Sequence, residues 1–154
     1  MVSEARLNTM NEKADKVIAT SSLGSLAGNL LPPPFDSMAV GAAIARMGIE
    51  IAKAYEVEVT WDEMKRIGMI LAKGLGAVAT ASYIGTGLFK YVPGVNVWVA
   101  LLVQPPIVGA MTYAAGQSYK QYFITMHRGL GNLTEEQLKD IASKAFLARK
   151  HLFK

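Results

Sequence analysis

The stretch Gly74–Ser118, GLGAVATASYIGTGLFKYVPGVNVWVALLVQPPIVGAMTYAAGQS, holds a single formal charge, Lys90, in 45 residues. Two apolar arms rich in small residues flank a break at Tyr91-Val92-Pro93-Gly94. In the first arm Ala77, Ala81 and Gly85 recur at i, i+4 and i+8, with Gly76 beside them, a spacing that lets a second helix approach closely. In the second arm Gly109, Ala110 and Ala114 offer another small face. These seven residues are the candidate helix-contact positions. The uncharged part of the first arm, residues 74–89, would extend only ~24 Å as a helix, short of the ~30 Å hydrocarbon core of a bilayer. The second arm is long enough, but Gln104-Pro105-Pro106 falls at the centre of a helix expected over about 95–126 and must kink or interrupt it. The pattern predicts two long central helices, over about 61–126, folded as an antiparallel hairpin broken at Pro93-Gly94. Such a hairpin packs against protein first and meets a membrane second.

Outside this stretch the chain is ordinary amphipathic helix. Leu7, Met10, Ala14, Val17, Ile18 and Ser21 approximate a 3.6-residue period over about 4–28. Pro32-Pro33-Pro34 ends that helix, and Asp36 is a good N-cap for the next, over about 37–55, whose stripe is Val40, Ile44, Met47, Ile51 and Tyr55. Thr60-Trp61-Asp62-Glu63 fits a capping box, Thr60 serving the N3 amide and Glu63 reaching back to the cap. Met64, Gly68, Leu71 and Leu75 then form one stripe. Tyr113, Tyr119 and Tyr122 read equally well as an interfacial belt or as core tyrosines with a wet hydroxyl. A second capping box, Thr134-Glu135-Glu136-Gln137, opens a final helix over about 135–152, with Leu138, Ile141, Ala145, Ala148 and Leu152 on its apolar side. The fold class is therefore all-α, about five helices in a single domain spanning 1–154.

Composition sets the function classes. Apolar residues make up 51% and charged ones 18%, with a mean hydropathy of +0.24, where soluble domains carry roughly 25% charged residues. Membrane contact or a large buried interface is expected. There is no Cys, which removes disulfides and thiolate metal sites. Residues 1–66 hold 7 basic and 9 acidic residues, net −2; residues 67–154 hold 9 and 3, net +6. The basic excess beside and after the apolar run suits an anionic membrane surface, with Lys120, Lys139, Lys144, Lys150 and Lys154 as the candidate contacts. The charged N-terminal MVSEARLNTMNEKADK lacks an apolar signal core, so the chain is expected to face the cytoplasm without export.

No catalytic signature is present. The chain has no Gly-x-x-x-x-Gly-Lys-Ser/Thr loop and is not itself a P-loop nucleotidase. Gly85-Thr86-Gly87 lacks the strand and helix that hold a pyrophosphate. His127 and His151, far apart and without a carboxylate at i+3 or i+4, make poor metal ligands or bases. The aromatics sit in apolar runs and do not alternate with basic residues, which argues against nucleic acid. No cofactor is expected.

The order Pro33-Pro34-Phe35-Asp36, Ile51-Ala52-Lys53-Ala54-Tyr55, Val57-Glu58-Val59-Thr60, Lys90-Tyr91-Val92-Pro93-Gly94 and Thr112-Tyr113-Ala114-Ala115-Gly116-Gln117-Ser118-Tyr119 resembles the bacterial domain-of-unknown-function family 697. That family includes YcjF-like membrane proteins and helical domains fused behind Era-like or dynamin-like GTPases. The resemblance covers roughly residues 10–125. It implies an all-helical domain, membrane association and a GTPase partner, and no catalytic residues. Three functions follow as expectations. The first is a non-enzymatic membrane-associated scaffold or adaptor on the cytoplasmic side, peripheral or hairpin-inserted. The second is a soluble homo-oligomer whose hairpins pack together, and the third a carrier of, or enzyme for, an apolar small molecule lodged between the helices.

Overall fold

Five α-helices account for nearly all of the residues described by a computed structural model, 3–20, 37–83 and 105–149. They are α1 (Glu4–Thr20), α2 (Ser37–Ala54), α3 (Trp61–Tyr83), α4 (Pro105–His127) and α5 (Glu135–Ala148). No strand occurs among them, and the expected all-α class holds. The triple proline, the Asp36 cap and the Pro93-Gly94 break lie outside the described residues, as do Gly85, Lys150 and Lys154.

The centre of the fold is α2. Its predicted stripe, Val40, Ile44, Met47, Ile51 and Tyr55, is buried, and so are Gly41, Ala45, Gly48 and Ala52 on its other sides. Between Val40 and Tyr55 only Arg46, Glu50 and Lys53 are exposed. Small residues let α2 bury more than one face, and its most extensive contact is with α3. The two backbones meet at Gly41 and Gly68: a Cβ on Gly68 would overlap the carbonyl oxygen of Gly41 and stand 3.1 Å from the Ala45 nitrogen. A Cβ on Gly41 would come within 2.5 Å of the Met69 sulfur and 3.2 Å of its Cα. Gly48 makes room in the same way for the ring of Tyr119.

The remaining helices close around this pair. Ion pairs Asp15–Lys120 at 2.6 Å and Glu4–Arg128 at 3.6 Å set α1 antiparallel to α4. Ile18 of α1 fills the space left by Gly116. α5 packs on both α3 and α4, and Gly74 of α3 lies against the aliphatic stem of Lys139. The direct contact of α3 with α4 is much smaller than the contact of either with α5. Thus the two arms are the two longest helices, 23 residues each, but within the described residues α2 and α5 provide most of the surface that α3 covers.

Several local expectations change. The described part of α4 starts at Pro105, and the residues before it in the helix expected over about 95–126 lie outside the described residues. At α3, Thr60 accepts from the Glu63 amide at 3.1 Å, while the Glu63 carboxylate is engaged by the Tyr122 hydroxyl at 2.7 Å. The α5 box is complete, Thr134 and Gln137 exchanging bonds of 2.9 and 3.2 Å. The buried residues of α5 are Leu138, Ala142 and Phe146, whereas Ala148 is exposed and Ile141 and Ala145 are half-buried. Phe146, the largest apolar side chain on that helix, rotates the stripe towards itself.

Helix ends are closed by two Schellman turns. After α4, Gly129 at φ 70° carries the turn, with Leu130 N–H donating to the Thr125 carbonyl and Gly129 N–H to that of Met126, both at 3.1 Å. After α2 the equivalent position is Glu56 at φ 56°, with Val57 N–H on the Ala52 carbonyl at 3.0 Å and Glu56 N–H on that of Lys53 at 3.1 Å. A glutamate in the left-handed region is unusual; its carboxylate pairs with Arg6 of α1.

Candidate functional site

The interior is aromatic and holds polar groups only where they are satisfied. Tyr55, Tyr119, Tyr122 and Phe123 are buried together, with Tyr55 stacked on Phe123 at 5.8 Å between centroids and Tyr122 edge-on to it at 5.3 Å. The Tyr55 hydroxyl donates to Asn11 Oδ1 at 2.5 Å, and that of Tyr119 to the Met64 carbonyl at 3.4 Å. Burial pushes both phenols well above the usual range. Burial, reinforced by the bond to Glu63, pushes Tyr122 up to about 12, against a smaller opposing pull from Arg66. These tyrosines are core, and the belt reading fails for Tyr119 and Tyr122 because their rings face α2 and α3. His127 Nε2 lies 2.7 Å from the Tyr55 carbonyl, so it donates there and closes the C-terminal end of α2. Among the described residues no group of His, Asp and Glu could hold a metal ion.

Outside this core, one cleft of about 620 Å³ opens between α1, α4 and the end of α5. One face of α4 supplies Gly109, Tyr113, Gln117 and Lys120, spaced at i, i+4, i+8 and i+11. From α1 come Asp15 and Ile18, and from the cap of α5 comes Arg149, whose N–H donates to the Phe146 carbonyl at 3.0 Å. The side chain of Lys120 is only 13% exposed and holds Asp15 at 2.6 Å. The Arg149 guanidinium lies 3.9 Å above the Tyr113 ring, a cation–π contact. Two cations and one carboxylate therefore share the cleft, and among the described residues no carboxylate pairs with Arg149.

The candidate positions read from sequence divide along these lines. Ala110 and Ala114 are buried in the core. Gly109 is exposed, and among the described residues nothing lies within 4 Å of where its Cβ would stand. Gly76 is half-buried and Ala77 exposed, while the side-chain environment of Ala81 is not described. Among the described residues, backbone comes closest to backbone at Gly41 and Gly68. Gly68 already stood in the predicted stripe as an i+4 neighbour of Met64, and that was the available signal. Of the lysines, Lys139 pairs with Glu135 at 3.2 Å and Lys144 with Asp140 at 2.9 Å along α5, whereas Lys120 turns into the cleft. Among the described residues Lys120, in the cleft, and Lys139, against Gly74 of α3, do not share one face. Only Trp61, Leu130 and Leu147 are large apolar side chains left exposed among the described residues, at 41%, 73% and 46%. Within the same residues no helix is long and apolar enough to cross a membrane.

No solved structure matches the chain. Over 111 residues it is 27% identical to Magnetosome membrane protein 22 of Magnetospirillum gryphiswaldense, an alignment covering 71% of this chain and 57% of that relative's length. The match to one family extends much further, over residues 2–151, and so takes in all five helices, the aromatic core and the cleft. On that extent the chain belongs to the family described as Domain of unknown function (DUF697).

Proposed function

We propose that this chain is a non-enzymatic, membrane-associated helical scaffold that works from the cytoplasmic face of a bacterial membrane as the adaptor for a GTPase. The observation that carries the reading is its similarity, over 71% of its length, to a protein named for a membrane. The five-helix body turns its large apolar side chains inward, with three exceptions among the described residues. Attachment is therefore assigned to the chain between α3 and α4, where Ile84–Val103 carries Lys90 as its only charge. The net charge of +6 over residues 67–154 favours the anionic cytoplasmic leaflet. On α5, Glu135 and Asp140 neutralise Lys139 and Lys144 locally, so that helix contributes less than its formal charge. The GTPase as partner class follows from the family resemblance.

Flotation of the purified full chain with vesicles, without detergent, tests the membrane part. Co-flotation that survives high salt is expected, because the attachment is apolar. A monodisperse species confined to the soluble fraction would instead favour the homo-oligomeric interaction module, whose stoichiometry light scattering would then give. For the adaptor part, cross-linking in cells followed by mass spectrometry should identify a protein with a GTPase domain; cross-links restricted to copies of the chain itself would remove it.

A further inference from the structure

Helix α1 is joined to the other four in a manner of its own. We infer that α1 is a releasable strap, which undocks as one unit while α2 to α5 stay folded and returns to a single register. Its hold through apolar surface is modest. Of its 17 residues, Leu7, Met10, Ala14 and Ile18 are buried. The contacts of α1 with α2 and α4 are less extensive than those of α5 with α3 and α4. The cost of local opening follows the apolar contact that is lost, so α1 opens ahead of the body.

Polar contacts supply the register. Glu4, Asn11 and Asp15 stand at i, i+7 and i+11, one line along the helix beside the apolar stripe. They meet Arg128 at 3.6 Å, the Tyr55 hydroxyl at 2.5 Å and Lys120 at 2.6 Å. On the far edge of the stripe Arg6 pairs with Glu56 in the turn after α2. Among the described residues these three ion pairs join distant parts of the chain, and the other three link residues three or four positions apart. Pairs with exposed members add little stability, yet together they fix which residue of α1 faces which partner.

The body keeps its own ties when α1 leaves. Gly41 and Gly68 join α2 to α3, Tyr119 bonds to the Met64 carbonyl, and Tyr122 bonds to Glu63. Each polar partner of α1 lies on the surface that the helix vacates, so water replaces the contact and no buried group is stranded. Docked, the strap covers Lys120 and Arg128 with Asp15 and Glu4; released, it uncovers both. The strap thereby sets the positive charge shown along α4.

Hydrogen exchange of the full chain, read by mass spectrometry, tests this. The hydrogen-bonded amides of α1 should exchange together, about tenfold faster than those of α2 and α3. Asp15→Asn should widen that gap by accelerating α1 alone. Gly116 supplies a lock, because a Cβ there would stand 2.5 Å from Ile18 Cγ1 and 3.0 Å from its Cγ2. The chain has no Cys of its own, so Ile18→Cys with Gly116→Cys brings one thiol pair within disulfide reach. Oxidation of that pair should slow α1 to the rate of α2, and reduction should restore the difference. Amides of α1 that match those of α2 and α3, or that show no protection at all, overturn the inference. So does an effect of Asp15→Asn spread evenly over the five helices, or fast exchange that survives the lock. If the cysteine pair does not fold, exchange in the native chain decides by itself. The measurement needs neither vesicles nor a GTPase, so the strap and the scaffold reading fall separately.

Discussion

Gly68 and Gly109 sit on two of the longest helices of the same small domain and have opposite surroundings. At Gly68 a single added carbon would strike the backbone of α2. At Gly109 the nearest 4 Å holds none of the described residues. On one side of the molecule glycine brings two helices into backbone contact; on the other it lines a charged cleft where no described residue stands against it. Among the described residues the same residue type thus marks two opposite surroundings. A small residue in a helical pattern indicates room but does not say what occupies it.

The sharpest way to break this comparison is Gly68→Ala. The obstructing atom is a carbonyl oxygen inside a helix and cannot swing aside, so a loss of about 1–3 kcal/mol is expected. For a chain of this size each kcal/mol lowers the midpoint of thermal unfolding by about 2–4 °C. A variant as stable as the parent would mean that α2 and α3 do not cross at these glycines.

Alkaline titration probes the closed side as a unit. The folded state raises the phenol pKa of Tyr55, Tyr119 and Tyr122 above the ordinary 10.0, Tyr122 to about 12. Because the fold favours the neutral, protonated form, this stabilisation is fully present below pH 10 and is lost as the pH rises through 12. Phenolate absorbance from these residues should appear together with the loss of helical circular dichroism. Ionisation near pH 10 with the helices intact would place the rings in solvent.

At the second glycine, Gly109→Ala should stabilise the protein by about 0.5–1 kcal/mol, since alanine gains helix propensity and meets no described residue. Chemical denaturation would show an unchanged slope and a higher midpoint; destabilisation would reveal a contact at that face. The smallest effect is expected at Glu56→Gly. Relief of a left-handed glutamate gains about 1 kcal/mol, and loss of its exposed pair with Arg6 returns part of that. A net gain below about 1 kcal/mol should result, and a clear loss would show that the tie between α1 and the end of α2 outweighs the strain.

Much of this architecture was legible in advance. The stripes Val40-Ile44-Met47-Ile51-Tyr55 and Met64-Gly68-Leu71-Leu75 are buried as their 3.6-residue spacing predicts, and so are Leu7, Met10, Ala14 and Ile18 of the first stripe, with Val17 half-buried and Ser21 outside the described residues. The Thr134–Gln137 box closes as its spacing requires. Periodicity and caps are local properties, set by residues within one or two turns, and a single sequence contains them completely. The cleft was not legible, because Asp15, Lys120 and Arg149 are more than a hundred positions apart at the extremes and meet only when α1 runs antiparallel to α4 and α5 ends beside Tyr113. Nor was the choice among small-residue faces. Ala77 follows the close-packing rhythm as well as Gly68 does, yet is exposed.

From sequence alone follow the described helices, the Thr134–Gln137 box, the uncharged run and its basic flank, since each depends on near neighbours in the chain. Tertiary structure alone decided which glycines touch a partner helix, that Tyr119 and Tyr122 are core, that the Glu63 carboxylate serves a tyrosine on α4, and that Lys120 faces a cleft. Those outcomes depend on which face of each helix meets which neighbour, and a periodic pattern leaves that choice open.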